Sequence, residues 1–215
     1  MLKEGSKGQD VVDLQSGLKS IGLYSGRLDG IFGPKTRLAL ETWQCRKHAT
    51  GEIGVVDLQE FIEENVLRPQ NRRELVRLFG AIEYSDIGGG YILITNRFSN
   101  KNIVRVDLPI VGFRHIHYRL KRKFIAALEE VQRAGLDGEI KKFGTYSPRH
   151  VLHDPTKPLS LHSWGIACDI NPSENPYGQK ESKLHPDIVK AFVGQGFRWG
   201  GAWGRPDNQH FEYYR

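Results

Sequence analysis

The stretch Ser160-Leu161-His162-Ser163-Trp164-Gly165-Ile166-Ala167-Cys168-Asp169 decides how the C-terminal part of the chain reads. From Ile166 onward the pattern alternates, which predicts a strand with Ile166, Cys168 and Ile170 on one face and Ala167, Asp169 and Asn171 on the other. Asp169 can then face a cleft while its neighbours pack a core. Ala167 leaves room beside it, and Gly165 lets the backbone turn from the His162 loop into the strand. A second string, Asp207-Asn208-Gln209-His210, runs into Phe211-Glu212-Tyr213-Tyr214, which also alternates. His210 and Glu212 should share a face there, so that Glu212 can orient an imidazole from behind. Together the two strings offer two imidazoles and a carboxylate, plus a spare carboxylate three residues before the last imidazole. A catalytic zinc wants three N and O ligands and one open position, and a water in that position wants a proton acceptor nearby. The competing reading is a scatter of polar residues on a loop-rich surface.

Ser-x-His-x-x-Gly-x-Ala-x-Asp followed by Asp-x-x-His resembles the zinc D-Ala-D-Ala carboxypeptidases and L-alanyl-D-glutamate endopeptidases of peptidoglycan, a group that includes phage endolysins. The likeness covers roughly residues 72–215. It implies one zinc ion per chain held by His162, Asp169 and His210, with Asp207 as general base. It also implies that Tyr146-Ser147-Pro148-Arg149-His150 is a substrate-binding segment with Arg149 as its cationic group. Ser160 and Glu212 are expected to support the ligands. Some members carry Glu as the base, and Asp207 favours the endopeptidase branch.

The first third of the chain reads as a separate module. Val11, Leu14, Leu18 and Ile21 recur at helical spacing, with Asp10 placed to cap the helix and Gly22 to stop it. Glycine-rich turns follow, and Pro34 opens a second helix with Leu38, Leu40 and Trp43. A third helix is expected over about Val55–Asn65, burying Leu58, Phe61 and Ile62. Val-Val-Asp-Leu-Gln occurs at Val11–Gln15 and again at Val55–Gln59, the mark of two similar helix starts rather than a repeat array. The pattern over about residues 3–66, with Asp-Gly-x-Phe-Gly-Pro-x-Thr beginning at Asp29, resembles the small three-helix peptidoglycan-binding domain. Tyr24, Asp29, Phe32 and Arg37 lie in or beside the glycine-rich turn and are candidates for wall contact. Trp43 reads as core.

The division expected is thus 1–66 for the binding domain, 67–71 for a short polar linker containing Pro69, and 72–215 for the peptidase domain. Within the last, Arg72–Tyr84 reads as a helix, Gly88-Gly89-Gly90 as a flexible break, and Tyr91–Thr95 as a buried strand. Ile103–Val106 and Ile140–Tyr146 read as further strands. Ile116, Leu120, Phe124, Leu128 and Val131 form the apolar stripe of a long helix ending near Gly135. The fold class expected is an α+β zinc peptidase domain preceded by a small all-α domain of three helices. Of the other histidines, His150 follows Arg149 in the family-like segment and is a minor candidate for substrate contact, outside the site residues; His153 and His185 are expected on the surface, and His115 and His117 beside the start of the long helix.

Composition is that of an ordinary globular protein, with 39% hydrophobic and 26% charged residues in 215. No apolar run approaches the roughly 18 residues needed to span a bilayer. Met1-Leu2-Lys3-Glu4-Gly5-Ser6 lacks the apolar core of a secretory signal, so the expected location is the host cytoplasm until release to the wall. Cys45 and Cys168 give neither a disulfide framework nor a metal-ligand pair. The net charge of +6 is uneven, with −2 over residues 1–66 and +8 over 67–215. Arg119, Lys121, Arg122 and Lys123 cluster on what reads as one helix face. That suits an anionic cell envelope better than nucleic acid, for which no aromatic-basic motif is present.

These readings lead to a monomeric peptidoglycan hydrolase of the phage endolysin type, cutting the L-Ala–D-Glu bond of the stem with zinc-activated water. The alternatives are a D-Ala-D-Ala carboxypeptidase and a catalytically silent wall-binding protein that keeps its zinc for structure. Against the last, a structural site closes its fourth position and needs no spare base.

Overall fold

The computed structural model describes residues 2, 4–47 and 68–214. The chain divides into two compact units, Met1–Leu67 and Arg68–Arg215. The third helix expected over Val55–Asn65 lies outside the described residues.

In the first unit, α1 (Gln9–Ser20) and α2 (Pro34–Lys47) enclose a core of Val11, Leu14, Leu18, Tyr24, Phe32, Ala39 and Leu40. Trp43 packs against this core. The cap of α1 is Gly8 with no side-chain hydrogen bond, so Asp10 sits in the first turn instead of capping it. Gln15 is fully buried. Its Nε2 donates to Asp29 Oδ1 at 2.8 Å and to Thr36 Oγ1 at 3.1 Å, while its Oε1 accepts from the Gly30 amide at 3.0 Å. A buried amide left unpaired would cost about 1–3 kcal/mol, so these bonds tie the glycine-rich turn to α1.

The second unit mixes helices with antiparallel strands. It opens with α3 (Arg72–Phe79), capped by Asn71 through the Glu74 amide. β1 (Tyr84–Gly88) and β2 (Tyr91–Ile94) form a two-stranded hairpin. Thus α3 is shorter than the sequence pattern suggests, and Gly88, Gly89 and Gly90, all at positive φ, form the hairpin turn. β2 is not a buried strand, since Ile92 is covered while Tyr91 and Leu93 are exposed. One face of the hairpin is covered and the other faces solvent, so burial along β2 alternates.

A short helix, α4 (Phe98–Asn102), leads into the hairpin β3 (Ile103–Leu108) and β4 (Gly112–His117). Ile116 and His117 therefore belong to a strand, and the long helix starts later, as α5 (Lys121–Arg133) after a 3-10 turn at Tyr118–Leu120. Arg119 lies in that turn and is buried, its Nε donating to the Tyr118 hydroxyl. The four basic residues thus do not form one solvated helix face. His117 is fully buried, with its Nε2 against the Phe79 carbonyl at 3.1 Å and its Nδ1 accepting from the Arg119 amide at 3.2 Å.

The site rests on a four-stranded antiparallel sheet built from β5 (Phe143–Gly144), β6 (Ala167–Ile170), β7 (Arg198–Trp199) and β8 (His210–Glu212), in the order β5-β6-β8-β7. Of the strand expected over Ile140–Tyr146, Phe143 and Gly144 pair in the sheet. α5 and α6 (Pro186–Gly194) pack against each other. Phe124 of α5 and Phe192 of α6 meet Phe197 at ring distances of 4.9 and 5.6 Å, and Phe192 meets Phe211 of β8 at 5.0 Å. One face of the sheet is thereby sealed in an aromatic core, and the other is left for a cleft.

Candidate metal centre

Antiparallel register makes the site. Asp169 pairs with His210 and Cys168 with Phe211 across β6 and β8. Directly opposed residues point to the same face of a sheet, so Cys168 and Phe211 go to the core while Asp169 and His210 emerge together on the cleft side. Ala167 stands opposite Glu212. Cys168 is fully buried, and burial pushes its thiol well above the ordinary value.

His162 comes from a separate 3-10 turn, Leu161–Trp164, capped by Ser160, whose Oγ accepts from the His162 amide. The turn ends at Gly165 in the left-handed region, with φ 65°. A Cβ there would stand 2.8 Å from the His117 amide nitrogen, which itself donates to the Gly165 carbonyl. This position requires glycine for conformation and for space.

His162, Asp169 and His210 offer ligand atoms that all lie within 4.8 Å of one another. His162 Nε2 is 3.3 Å from His210 Nδ1 and 3.2 Å from Asp169 Oδ2, while His210 Nδ1 is 2.8 Å from Asp169 Oδ1. Behind each ring stands an acceptor. His162 Nδ1 lies 2.5 Å from the Thr145 carbonyl, and His210 Nε2 lies 3.3 Å from Glu212 Oε2. A carbonyl cannot donate, so the proton of His162 is on Nδ1 and the Nε2 lone pair faces the cluster. Glu212 sets His210 the same way, directing Nδ1 inward.

Electrostatics agree with a site made for a cation. Burial pushes the Asp169 carboxyl up, but His162 and His210 outweigh it and hold the carboxyl well below the usual range. Burial pulls His210 down, yet the hydrogen bonds to Asp169 and Glu212 raise it to about 9. A proton on His210 lies between the Asp169 and Glu212 carboxylates. A metal ion held by the same atoms would take that proton's place. Two neutral imidazole lone pairs and one carboxylate are a donor set that suits zinc.

Asp207 stands at the rim of the cluster. Burial raises its pKa and Asp169 adds to the rise, while His210 works against it. Its position is set by a closed loop, in which its amide donates to Gly200 O and its carbonyl accepts from the His210 amide, both at 3.0 Å. A Cβ on Gly200 would meet the Asp207 carbonyl oxygen at 2.6 Å. Arg149 is anchored through its backbone, with its amide on Ser163 Oγ and its carbonyl accepting from Ser160 N. A cleft of about 520 Å³ receives Arg149, Asp169, Asp207 and His210 together.

The structure also places residues that no sequence pattern singled out. Arg72, Arg198 and Trp203 line this cleft. Arg198 lies over the Trp203 ring at 5.1 Å and faces Glu212 at 3.8 Å. His150, a minor candidate for substrate contact, is buried with its Nε2 on Asp86 at 2.9 Å. Of the four wall-contact candidates, Tyr24 and Phe32 are in the core of the first unit. Asp29 is bonded to Gln15, and Arg37 is exposed and paired with Glu4 and Glu41.

Comparison with known proteins finds two matching segments. Residues 153–213 match a family model described as D-alanyl-D-alanine carboxypeptidase, and residues 7–59 match a model for a peptidoglycan binding domain. The spore cortex-lytic enzyme of Bacillus cereus is 46% identical over 44 residues, 20% of this chain and 17% of that protein. The spore cortex-lytic enzyme of Oceanobacillus iheyensis is 41% identical over 44 residues, 20% of this chain and 16% of that protein. The chain therefore spans about a sixth of the length of the curated relatives it matches. No solved structure matches it. The chain joins a segment similar to peptidoglycan binding domains with one similar to D-alanyl-D-alanine carboxypeptidases, and the candidate metal cluster falls inside the latter.

Proposed function

We propose that the protein is a peptidoglycan hydrolase of the endolysin type that uses one zinc ion to cut the L-Ala–D-Glu bond of the stem peptide. The observation that carries this reading is the convergence of His162 Nε2, His210 Nδ1 and the Asp169 carboxylate, with an acceptor behind each ring. These three residues would hold the metal. Zinc, when bound, supplies Lewis acidity that polarises a carbonyl and brings a water's pKa towards neutrality.

The chain's own groups do the rest. Asp207 takes a proton from the attacking water and returns it to the leaving amine, a role served by a carboxylate whose pKa burial has raised. Arg149, whose guanidinium makes one hydrogen bond among the described residues, to the His150 carbonyl, grips a substrate carboxylate in the cleft. Glu212 and Thr145 keep the two imidazoles in one tautomer. The N-terminal unit holds the enzyme, acting as a monomer, on its insoluble polymer and raises the local substrate concentration. An excess of basic residues in 67–215 assists approach to an anionic envelope.

The family description of residues 153–213 favours a second reading, hydrolysis of D-Ala–D-Ala. Incubating purified peptidoglycan with the protein, with and without a chelator, separates the two by mass spectrometry. Chelator-sensitive exposure of D-Glu amines supports the first reading, and release of free D-Ala supports the second. A protein that sediments with the wall and releases neither is a silent binder.

A further inference from the structure

Arg72 opens α3 and lies far in sequence from every residue of the candidate site, yet it lines the same cleft. Its Nη2 donates to the Leu159 carbonyl at 2.7 Å, and its guanidinium lies 5.3 Å from the centre of the Trp164 ring. The same peptide unit reaches Arg149 on its other side, where the Ser160 amide donates to the Arg149 carbonyl at 2.9 Å. One peptide plane thus ties the Arg72 guanidinium to the backbone of Arg149. A guanidinium carries five N–H donors in a fork that matches a carboxylate, and each of these two spends one on a backbone carbonyl. Among the described residues neither forms an ion pair with an Asp or Glu. The acids of the cleft have other partners: Asp169 both imidazoles, Glu212 His210 and Arg198, and Asp207 the Gln209 amide at 3.1 Å. The cleft therefore presents two separate guanidinium forks that no ion pair closes, with Glu212 and Asp207 among the acids of the same lining.

We infer that Arg72 is a second carboxylate-binding residue of the cleft, so that the preferred substrate is an acidic peptide carrying two free carboxylates, one read by Arg149 and the other by Arg72. The inference deepens the proposed function and rests on it for the peptide's identity. A stem in which D-Glu continues through its side chain leaves the α-carboxylate free, and the following residue supplies another. Neutral or singly charged peptides would leave one fork facing water and lose a charge-assisted bidentate bond.

The test uses the tripeptide L-Ala-γ-D-Glu-L-Lys, which has two carboxylates, and its two monoamides. Binding is read by calorimetry in the full chain carrying Asp207→Ala, which keeps the peptide intact, and in the same protein carrying Arg72→Gln or Arg72→Lys. Amidating either carboxylate should weaken binding, and Arg72→Gln should weaken the diacid about 10–100-fold, the range of a hydrogen bond to a charged group. For one of the two monoamides the Arg72→Gln effect should vanish, and Arg72→Lys should recover part of the diacid affinity. Equal loss on all three peptides would make Arg72 a tether for Leu159 and overturn the inference. So would no loss, indifference to one of the amidations before any change at Arg72, or no binding of the diacid. If the carboxylate preference holds but the native chain does not cleave the diacid, the proposed activity falls and the subsite stands. Cleavage of all three peptides at one rate would sink the subsite and leave the activity intact.

Discussion

His117 makes acid stability a readable property of one side chain. The ring is fully buried at the end of β4, edge-on to Phe79 at 4.9 Å and stacked on Tyr118 at 4.9 Å. Desolvation is the main reason its pKa is pushed down to about 3, with the charge of Arg119 adding and the hydrogen bond to Phe79 O opposing. An unfolded histidine titrates near 6.5. The folded state therefore refuses a proton that the unfolded state accepts, and stability is full above pH 6.5 and falls as pH drops towards 3. Linkage between those two pKa values gives a loss of about 2 kcal/mol between pH 8 and pH 5, and about 3 kcal/mol by pH 4. His117→Gln removes the titration while keeping a donor and an acceptor for Phe79 O and the Arg119 amide, at a neutral-pH cost of about 1–2 kcal/mol. Urea unfolding followed by tryptophan fluorescence reports mainly this unit, which holds Trp164, Trp199 and Trp203. All other titrating groups are common to both proteins and cancel in the difference. The native chain should lead at pH 8, and the two stabilities should meet or cross near pH 5. Parallel curves over that range would refute the assignment of a buried, neutral His117.

Three further outcomes are expected. His162→Ala and His210→Ala should each lose stoichiometric zinc, measured by elemental analysis after dialysis, together with wall lysis; a variant that keeps both is not missing a ligand. Asp207→Ala should keep its zinc but slow turnover of a soluble muropeptide by about 10²–10⁴-fold, whereas loss of zinc would recast Asp207 as a ligand. Gly90→Ala should cost at least about 2 kcal/mol and lower the melting temperature by several degrees. The reason is that φ there is 74° and a Cβ would stand 2.1 Å from the His153 carbonyl oxygen; an unchanged melting curve would mean that β1–β2 does not hold the segment after Arg149 as drawn.

What the sequence makes legible, and what it hides, follows from where the information sits. Ser-x-His-x-x-Gly-x-Ala-x-Asp is local, and its alternation alone sends Cys168 inward and Asp169 outward. The pairing of Asp169 with His210 is a register between two strands 41 positions apart. It could be guessed because both strings alternate about a polar residue. Ile116 misled for a related reason: an apolar residue four before Leu120 satisfies helical spacing, although it is the end of a strand that turns into the helix through Tyr118–Leu120. The sequence places His117 only beside the start of the long helix and Arg119 in a basic cluster, because burial of a polar side chain is decided by its partners. Those partners, Phe79 O and the Arg119 amide, are backbone atoms that no side-chain pattern encodes.

The same limit governs the cleft. Thr145 matters through its carbonyl, which any residue would present at that position, so composition could not have pointed to it. Arg72 is one of 31 basic residues and stands in no motif. It becomes distinctive only when α3 brings it to the Leu159 carbonyl, within the strap that also fixes Arg149. The candidate metal ligands are constrained by the chemistry an ion would demand, which allows few residue types at few spacings and therefore leaves a readable signature. A substrate carboxylate can be met by a guanidinium arriving from any element that borders the cleft. The residues that set which peptide is taken are thus expected to be the less legible part of this site, and the ones for which coordinates add most.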